Sequence, residues 1–136
     1  MKTKINYENI YQQLKTLQKR SYAPYSHYPV AALALSNDTF IPGVNVENGS
    51  YGLTVCAERN AIFSMIALGY QKLDMMFLIT NDENDSGTPC GACRQVISEF
   101  MQLDGSVVVY NQSGTYKIYQ LQELLPHSWS PTASLK

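Results

Sequence analysis

Charge is scarce and balanced: 10 Lys and Arg against 11 Asp and Glu leave a net charge of −1 over 136 residues. The basic positions are scattered, so no stripe exists that would neutralise a phosphate backbone, and a nucleic-acid partner is not expected. Long apolar runs are missing too. The longest, Val30 to Leu35 and Met75 to Ile79, fall far short of the roughly 20 residues that cross a bilayer, so no membrane association is expected. The opening Met1-Lys2-Thr3-Lys4-Ile5-Asn6 leads into polar and charged positions instead of the apolar stretch of a secretory signal, and a cytoplasmic location is the expectation. Cysteine is rare and odd in number, three in all. Without an export signal a disulfide framework explains three cysteines poorly, which leaves metal or redox chemistry. Internal repeats, low-complexity tracts and linkers are also absent.

What remains is 45% hydrophobic, enough for one core and one domain over residues 1–136. Ile10, Leu14 and Leu17 recur at helical spacing and predict a helix from Tyr7 to Arg20, ended by Ala23-Pro24. Val30 to Leu35 reads as a buried strand, Ser36-Asn37-Asp38 as a turn, and Thr39 to Val46 as its hairpin partner, with Pro42-Gly43 marking a bulge or an edge. Cys56 to Leu68 reads as a second helix closed by a left-handed cap at Gly69. Met75 to Thr80 is a strand, Asn81 to Thr88 a polar loop, and Cys90 to Met101 a third helix. Val107 to Tyr110 and Thr115 to Tyr119 are strands around an Asn-Gln-Ser-Gly turn, and a short helix follows near Leu121 to Leu125. Strands alternating with helices predict an α/β fold, a three-layer α/β/α sandwich with a mixed five-stranded sheet.

Two groups of residues carry the chemistry: Cys56-Ala57-Glu58-Arg59 and Pro89-Cys90-Gly91-Ala92-Cys93. Each falls at a predicted helix start. A Cys-x-x-Cys there lets two sulfurs converge on one ion, and a third thiolate from another helix leaves one tetrahedral position open, the mark of a catalytic zinc. Helix starts also suit thiolates, because unpaired N–H groups and the positive dipole end lower the thiol pKa. Three thiolates on zinc give a formal charge of −1, which Arg59 offsets if it donates hydrogen bonds to the sulfurs. Blander readings stay open at this point. Cys90 and Cys93 could be a redox pair with Cys56 an unrelated buried thiol, and Glu58 with Arg59 could be a solvated first turn. His27 and His127 lie at no ligand-like spacing from any cysteine and read as loop residues.

Cys56-x-Glu58 followed by Pro89-Cys90-x-x-Cys93 matches the signature of the zinc-dependent nucleobase deaminases in its all-cysteine form. The match runs from Tyr22-Ala23-Pro24-Tyr25-Ser26 through Gly43-Val44-Asn45-Val46-Glu47-Asn48 to Leu124-Leu125-Pro126, nearly the whole chain, and resembles the small homotetrameric cytidine deaminases. That resemblance implies one zinc per subunit on Cys56, Cys90 and Cys93, with Glu58 the catalytic proton carrier. It implies that Asn45 and Glu47 bind the ribose, that the Ala57 backbone meets the base, and that Tyr28 flanks the pyrimidine. It also implies a homotetramer whose active sites are shared between subunits, with Trp129 reaching a neighbour's pocket. Read locally, Asn45 could instead serve the Pro42-Gly43 bulge, Glu47 could be a loop charge, and Tyr28 and Trp129 could be packing aromatics.

The implied activity is hydrolysis of cytidine and 2′-deoxycytidine to the uridine product and ammonia, a pyrimidine salvage reaction on a free nucleoside. Some positions depart from the family pattern. Tyr28 stands where Phe is usual, Ala31-Ala32-Leu33 replaces Gly-Ala-Ala, Asn48-Gly49-Ser50-Tyr51 departs from Asn-Ala-Ala/Ser-Tyr, and Trp129 stands where Phe is common. Larger side chains at Tyr28 and Leu33, taken to lie close to the base, keep a modified cytosine nucleoside or a cytosine-bearing antibiotic as the alternative substrate. A polynucleotide editor, a non-catalytic zinc module and a dithiol oxidoreductase are the remaining competitors.

Overall fold

Asn6 starts the first helix, its side-chain oxygen accepting the Asn9 N–H at 3.0 Å, which satisfies one of the donors a helix start leaves open. In the computed structural model, which describes residues 4–83 and 87–131, this helix is α1 (Tyr7–Gln18). It ends two residues before the predicted Arg20, where the Arg20 N–H turns back to the Leu17 carbonyl at 2.8 Å. Ile10, Leu14 and Gln18 form its buried stripe.

β1 (Ala31–Ser36) and β2 (Thr39–Val44) form a hairpin around Asn37 and Asp38. Both turn residues have positive φ, 49° and 61°, the backbone that matches the twist of two tightly joined strands. β3 (Met75–Ile79), β4 (Ser106–Tyr110) and β5 (Tyr116–Gln120) complete one sheet in the order β2-β1-β3-β4-β5. Only β3 and β4 are parallel, and α3 (Gly91–Phe100) makes the crossover between them. α2 (Ala57–Ala67) joins β2 to β3, and α4 (Leu121–Leu124) follows β5. A 3-10 turn at Tyr51–Leu53 was not foreseen from the sequence. The predicted loop from Asn81 to Thr88 lies partly outside the described residues, at 84–86.

α1 covers one face of the sheet, over Ala31, Leu33, Leu35, Phe77 and Tyr110. α2, α3 and α4 cover the other, over Ala32, Ala34, Met76, Leu78, Val107 and Val109. This is the three-layer sandwich with a mixed five-stranded sheet. One expectation is corrected here. Leu33 does not approach the base-binding face, because side chains alternate along a strand and Leu33 points with Leu35 toward α1.

Pro42 and Gly43 keep the β1–β2 register unbroken, opposite Leu33 and Ala32, so the pair marks an edge strand and no bulge. Gly43 has a second reason to be glycine. A Cβ there would sit 2.4 Å from the Ala57 carbonyl oxygen and 2.4 Å from the Ala61 nitrogen, so the first turns of α2 rest directly on β2. Gly69, with φ of 94°, ends α2 in the left-handed conformation foreseen for it.

Candidate active site

Ala31, Ile79 and Tyr110 lie side by side in adjacent strands, so the chain leading into β1 and the chains leaving β3 and β4 meet at one end of the sheet. β1 runs antiparallel to β3, and β3 parallel to β4. A cleft of about 380 Å3 opens at that end of the sheet, lined among others by Tyr28, Asn45, Glu47, Cys56, Glu58 and Cys90. That volume lies in the range of sites for small molecules, about 300–1,000 Å3.

The three cysteines converge on one another from two helix starts, with Cys56 and Cys90 lining the cleft and Cys93 buried behind it. Cys56 is the N-cap of α2 and Cys90 the N-cap of α3, where its sulfur accepts the Cys93 N–H at 3.5 Å. The three sulfurs lie within 4.8 Å of one another, and those of Cys56 and Cys90 are 3.7 Å apart. Two sulfurs each about 2.3 Å from a tetrahedral ion would be separated by about 3.8 Å, so the donor set fits zinc. An unrelated buried thiol at Cys56 is incompatible with this convergence.

The electrostatics favour thiolate at Cys56. A hydrogen bond from the Cys93 thiol holds Cys56 well below the ordinary thiol range, at about 5, aided by the Arg59 guanidinium. Arg59 reaches it through Nη2 at 3.5 Å. The same bond, acting in reverse, pushes Cys93 up. Glu58, two residues past Cys56, is only 3% exposed, which removes the reading of a solvated first turn. Burial pushes its carboxyl up to about 7. Ala57, between them, is the first residue of α2 and is fully buried.

Asn45 and Glu47 also line the cleft, each already bonded to the chain around it. The Asn45 Oδ1 accepts the Val30 N–H at 3.0 Å and the Ser21 hydroxyl, while its Nδ2 donates to the Tyr28 carbonyl at 2.9 Å. These bonds tie the Tyr28–Val30 segment to Asn45, and the bulge reading lapses with the bulge. Glu47 accepts the Tyr25 and Ser26 N–H groups at 3.0 and 3.1 Å and the Ser26 hydroxyl. The Ser26 hydroxyl, foremost, holds the Glu47 carboxyl below the usual carboxylate range. Trp129 is 68% exposed and does not line the cleft of its own chain. His27 and His127 are exposed loop residues with positive φ.

Several contributors escaped the sequence reading. Arg94 bonds the Pro89 carbonyl and the Leu124 carbonyl, both at 2.7 Å, and the Thr88 hydroxyl at 3.0 Å. It thereby fixes the approach to Cys90, and the only local signal was its place next to Cys93. Ser21, Thr80 and Thr88 carry no motif at all, and Ser26 stands in the Tyr22-Ala23-Pro24-Tyr25-Ser26 run without a role of its own.

Over residues 4–111 the chain matches the family described as "Cytidine and deoxycytidylate deaminase zinc-binding region". It is 40% identical over 122 residues to a cytidine deaminase of Mycoplasma genitalium, covering 90% of this chain and 94% of that one. A blasticidin-S deaminase of Bacillus cereus is 29% identical over 112 residues, with 77% and 79% covered. The crystal structure of cytidine deaminase from Burkholderia pseudomallei superposes with a TM-score of 0.86 at 35% identity, covering 92% of this chain and 100% of that one. A three-sulfur zinc site on two helix starts, with a buried carboxylate beside it, thus sits in a chain that belongs to the cytidine and deoxycytidylate deaminase zinc-binding family.

Proposed function

We propose that the protein is a hydrolytic deaminase acting on cytidine and 2′-deoxycytidine, with one zinc ion on Cys56, Cys90 and Cys93 and with Glu58 as the proton carrier. The observation that carries this reading is the buried Glu58 carboxyl next to the three sulfurs, at the wall of a nucleoside-sized cleft. When bound, zinc supplies acidity to a water that adds to C4 of the cytosine ring.

Glu58 takes one proton from that water and delivers it to N3, then takes the second from the hydroxyl now on C4 and gives it to the departing amine, leaving the C4 carbonyl. A carboxyl pushed up to about 7 is suited to both directions of transfer near neutral pH. Arg59 holds Cys56 as thiolate, and the Ala57 backbone faces the base. Asn45 and Glu47 hold the ribose, and binding energy spent there orients the ring for attack. Glu47, negative across the neutral range, also repels a phosphate, which favours nucleosides over nucleotides.

Subunit assembly completes the site. α2 exposes Phe63 and Ile66, and Leu68 follows at its end, an apolar surface of the kind that association covers. Trp129, which its own cleft does not use, then serves a neighbouring subunit in a homotetramer. The reaction fits pyrimidine salvage in the cytoplasm. Among the described residues no helix is long and apolar enough to cross a membrane. For the modified-nucleoside alternative, the placement of Leu33 removes one of the two departures that supported it and leaves Tyr28.

The direct test follows the ultraviolet change as cytidine becomes uridine, with zinc measured on wild type and Glu58→Gln. Turnover by wild type and none by the zinc-loaded variant supports the reading. A zinc-loaded wild type that leaves cytidine unchanged overturns the substrate and moves the search to modified cytosine nucleosides.

A further inference from the structure

Tyr28 and Asp82 are 54 positions apart in sequence, yet the Tyr28 hydroxyl donates to the Asp82 Oδ2 at 2.7 Å. The two meet at the end of the sheet where the chain entering β1 passes the chain leaving β3. The Tyr28 ring lines the cleft beside Glu58 and Thr80. Its phenol is held above the ordinary tyrosine range, chiefly by burial, so it stays a donor.

The hydrogen bond closes a ring of contacts that fixes both segments from below. Gln18, buried on α1, donates to the Pro29 carbonyl at 2.9 Å, next to Tyr28. Gln112 donates through Nε2 to the Gln18 Oε1 at 3.1 Å and to the Thr80 carbonyl at 2.6 Å, and through its backbone N–H to the Asp82 carbonyl at 3.2 Å. Asn45 holds the Tyr28 carbonyl from the other side. The backbone at Pro29, next to Tyr28, and the backbone of Asp82 are therefore tied to one pair of glutamines, and the hydroxyl-to-carboxylate bond joins the two segments again.

We propose that Asp82 is a positioning residue for substrate: through the Tyr28 hydroxyl it locks the aromatic wall against which the pyrimidine lies, before any nucleoside arrives. The proposal rests on the nucleoside deaminase reading above. A phenylalanine at position 28 would present the same ring without an anchor at its tip. The ring would then have to be ordered when substrate binds, and that entropy would be set against affinity. Because the hydroxyl is bonded to Asp82 and acts on substrate only through the ring, losing it weakens ground state and transition state alike, which raises KM and spares kcat.

The experiment measures kcat and KM for cytidine with zinc-loaded wild type, Tyr28→Phe, Asp82→Ala, Asp82→Asn and the Tyr28→Phe/Asp82→Ala double variant, with a melting curve for each. Tyr28→Phe and Asp82→Ala should each raise KM by about 3- to 10-fold, the scale of one hydrogen bond, with kcat within about twofold. The double variant should be no worse than the poorer single one, as for two residues acting through one contact. Asp82→Asn, whose amide oxygen still accepts from the phenol, should restore KM to within about twofold of wild type. An unchanged KM in Tyr28→Phe overturns the proposal, as does multiplication of the two effects in the double variant. A lowered melting temperature without a rise in KM does the same, since that is what a purely structural contact gives. A zinc-loaded wild type that is inactive on cytidine instead overturns the reading beneath the proposal, and the proposal with it.

Discussion

On the α1 face of the sheet, Leu33, Leu35, Phe77 and Tyr110 fill the space beneath Ile10 and Leu14. Under the first turns of α2 the facing residues are Ala32, Ala34 and Gly43, met by Ala57 and Ala61. The first arrangement buries large apolar side chains and supplies stability. The second brings helix backbone against strand backbone, which sets the height at which Cys56 and Glu58 project into the cleft. Large side chains hold both faces together, Ile62, Met65, Met76, Leu78 and Ile97 among them on the α2 side, and the patch of small residues beneath the start of α2 aims the chemistry.

The largest loss of activity is expected at Glu58. Glu58→Gln keeps the shape of the α2 start and removes the proton carrier, so kcat on cytidine should fall by about 10²- to 10⁴-fold while zinc content and melting temperature stay near wild type. Leu14→Ala attacks the other face. It should cost about 2–5 kcal/mol of stability by denaturant unfolding and leave kcat and KM of the folded protein unchanged. Gly43→Ala tests the close approach itself. The added methyl meets backbone and no flexible side chain, so α2 must shift, with a loss of about 1–3 kcal/mol accompanied by weaker zinc retention in dialysis against a chelator. If Leu14→Ala lost zinc as readily as Gly43→Ala, the division of labour between the large side chains and the small-residue patch would be wrong.

The smallest effect belongs to pH. Glu47 has a folded-state pKa below its ordinary value near 4.5, held there first by the Ser26 hydroxyl. A depressed carboxyl contributes stability that is present above the unfolded value and is lost as pH falls through the folded one. Glu47→Gln should therefore melt below wild type at neutral pH, and the gap should close as pH drops below about 4.5. Melting curves between pH 7 and pH 3 decide it, and a gap that widened in acid would contradict the assignment.

Local periodicity and local spacing carried the sequence reading where it succeeded. The stripe of Ile10 and Leu14 marked α1, and Cys56-x-Glu58 with Cys90-x-x-Cys93 marked two helix starts that the fold brings together. It failed where a partner lay far away in sequence. Tyr28 with Asp82, Gln18 with Gln112 and Arg94 with Leu124 are separated by 54, 94 and 30 positions, and no local pattern pairs the one with the other. The misplacement of Leu33 has a different cause. Every residue of β1 is buried, so Ala31-Ala32-Leu33-Ala34-Leu35 shows no polar alternation to say which side faces which helix.

Two of the three sulfurs belong to helix N-caps, Cys56 of α2 and Cys90 of α3. A ligand that ties two helix starts to each other binds the native chain far better than the unfolded one, so its binding free energy enters the folding equilibrium directly. The protein's melting temperature then becomes a function of free zinc in the buffer. Each tenfold rise in zinc above the dissociation constant adds about 1.4 kcal/mol, and a chelator acts on this chain as a denaturant does.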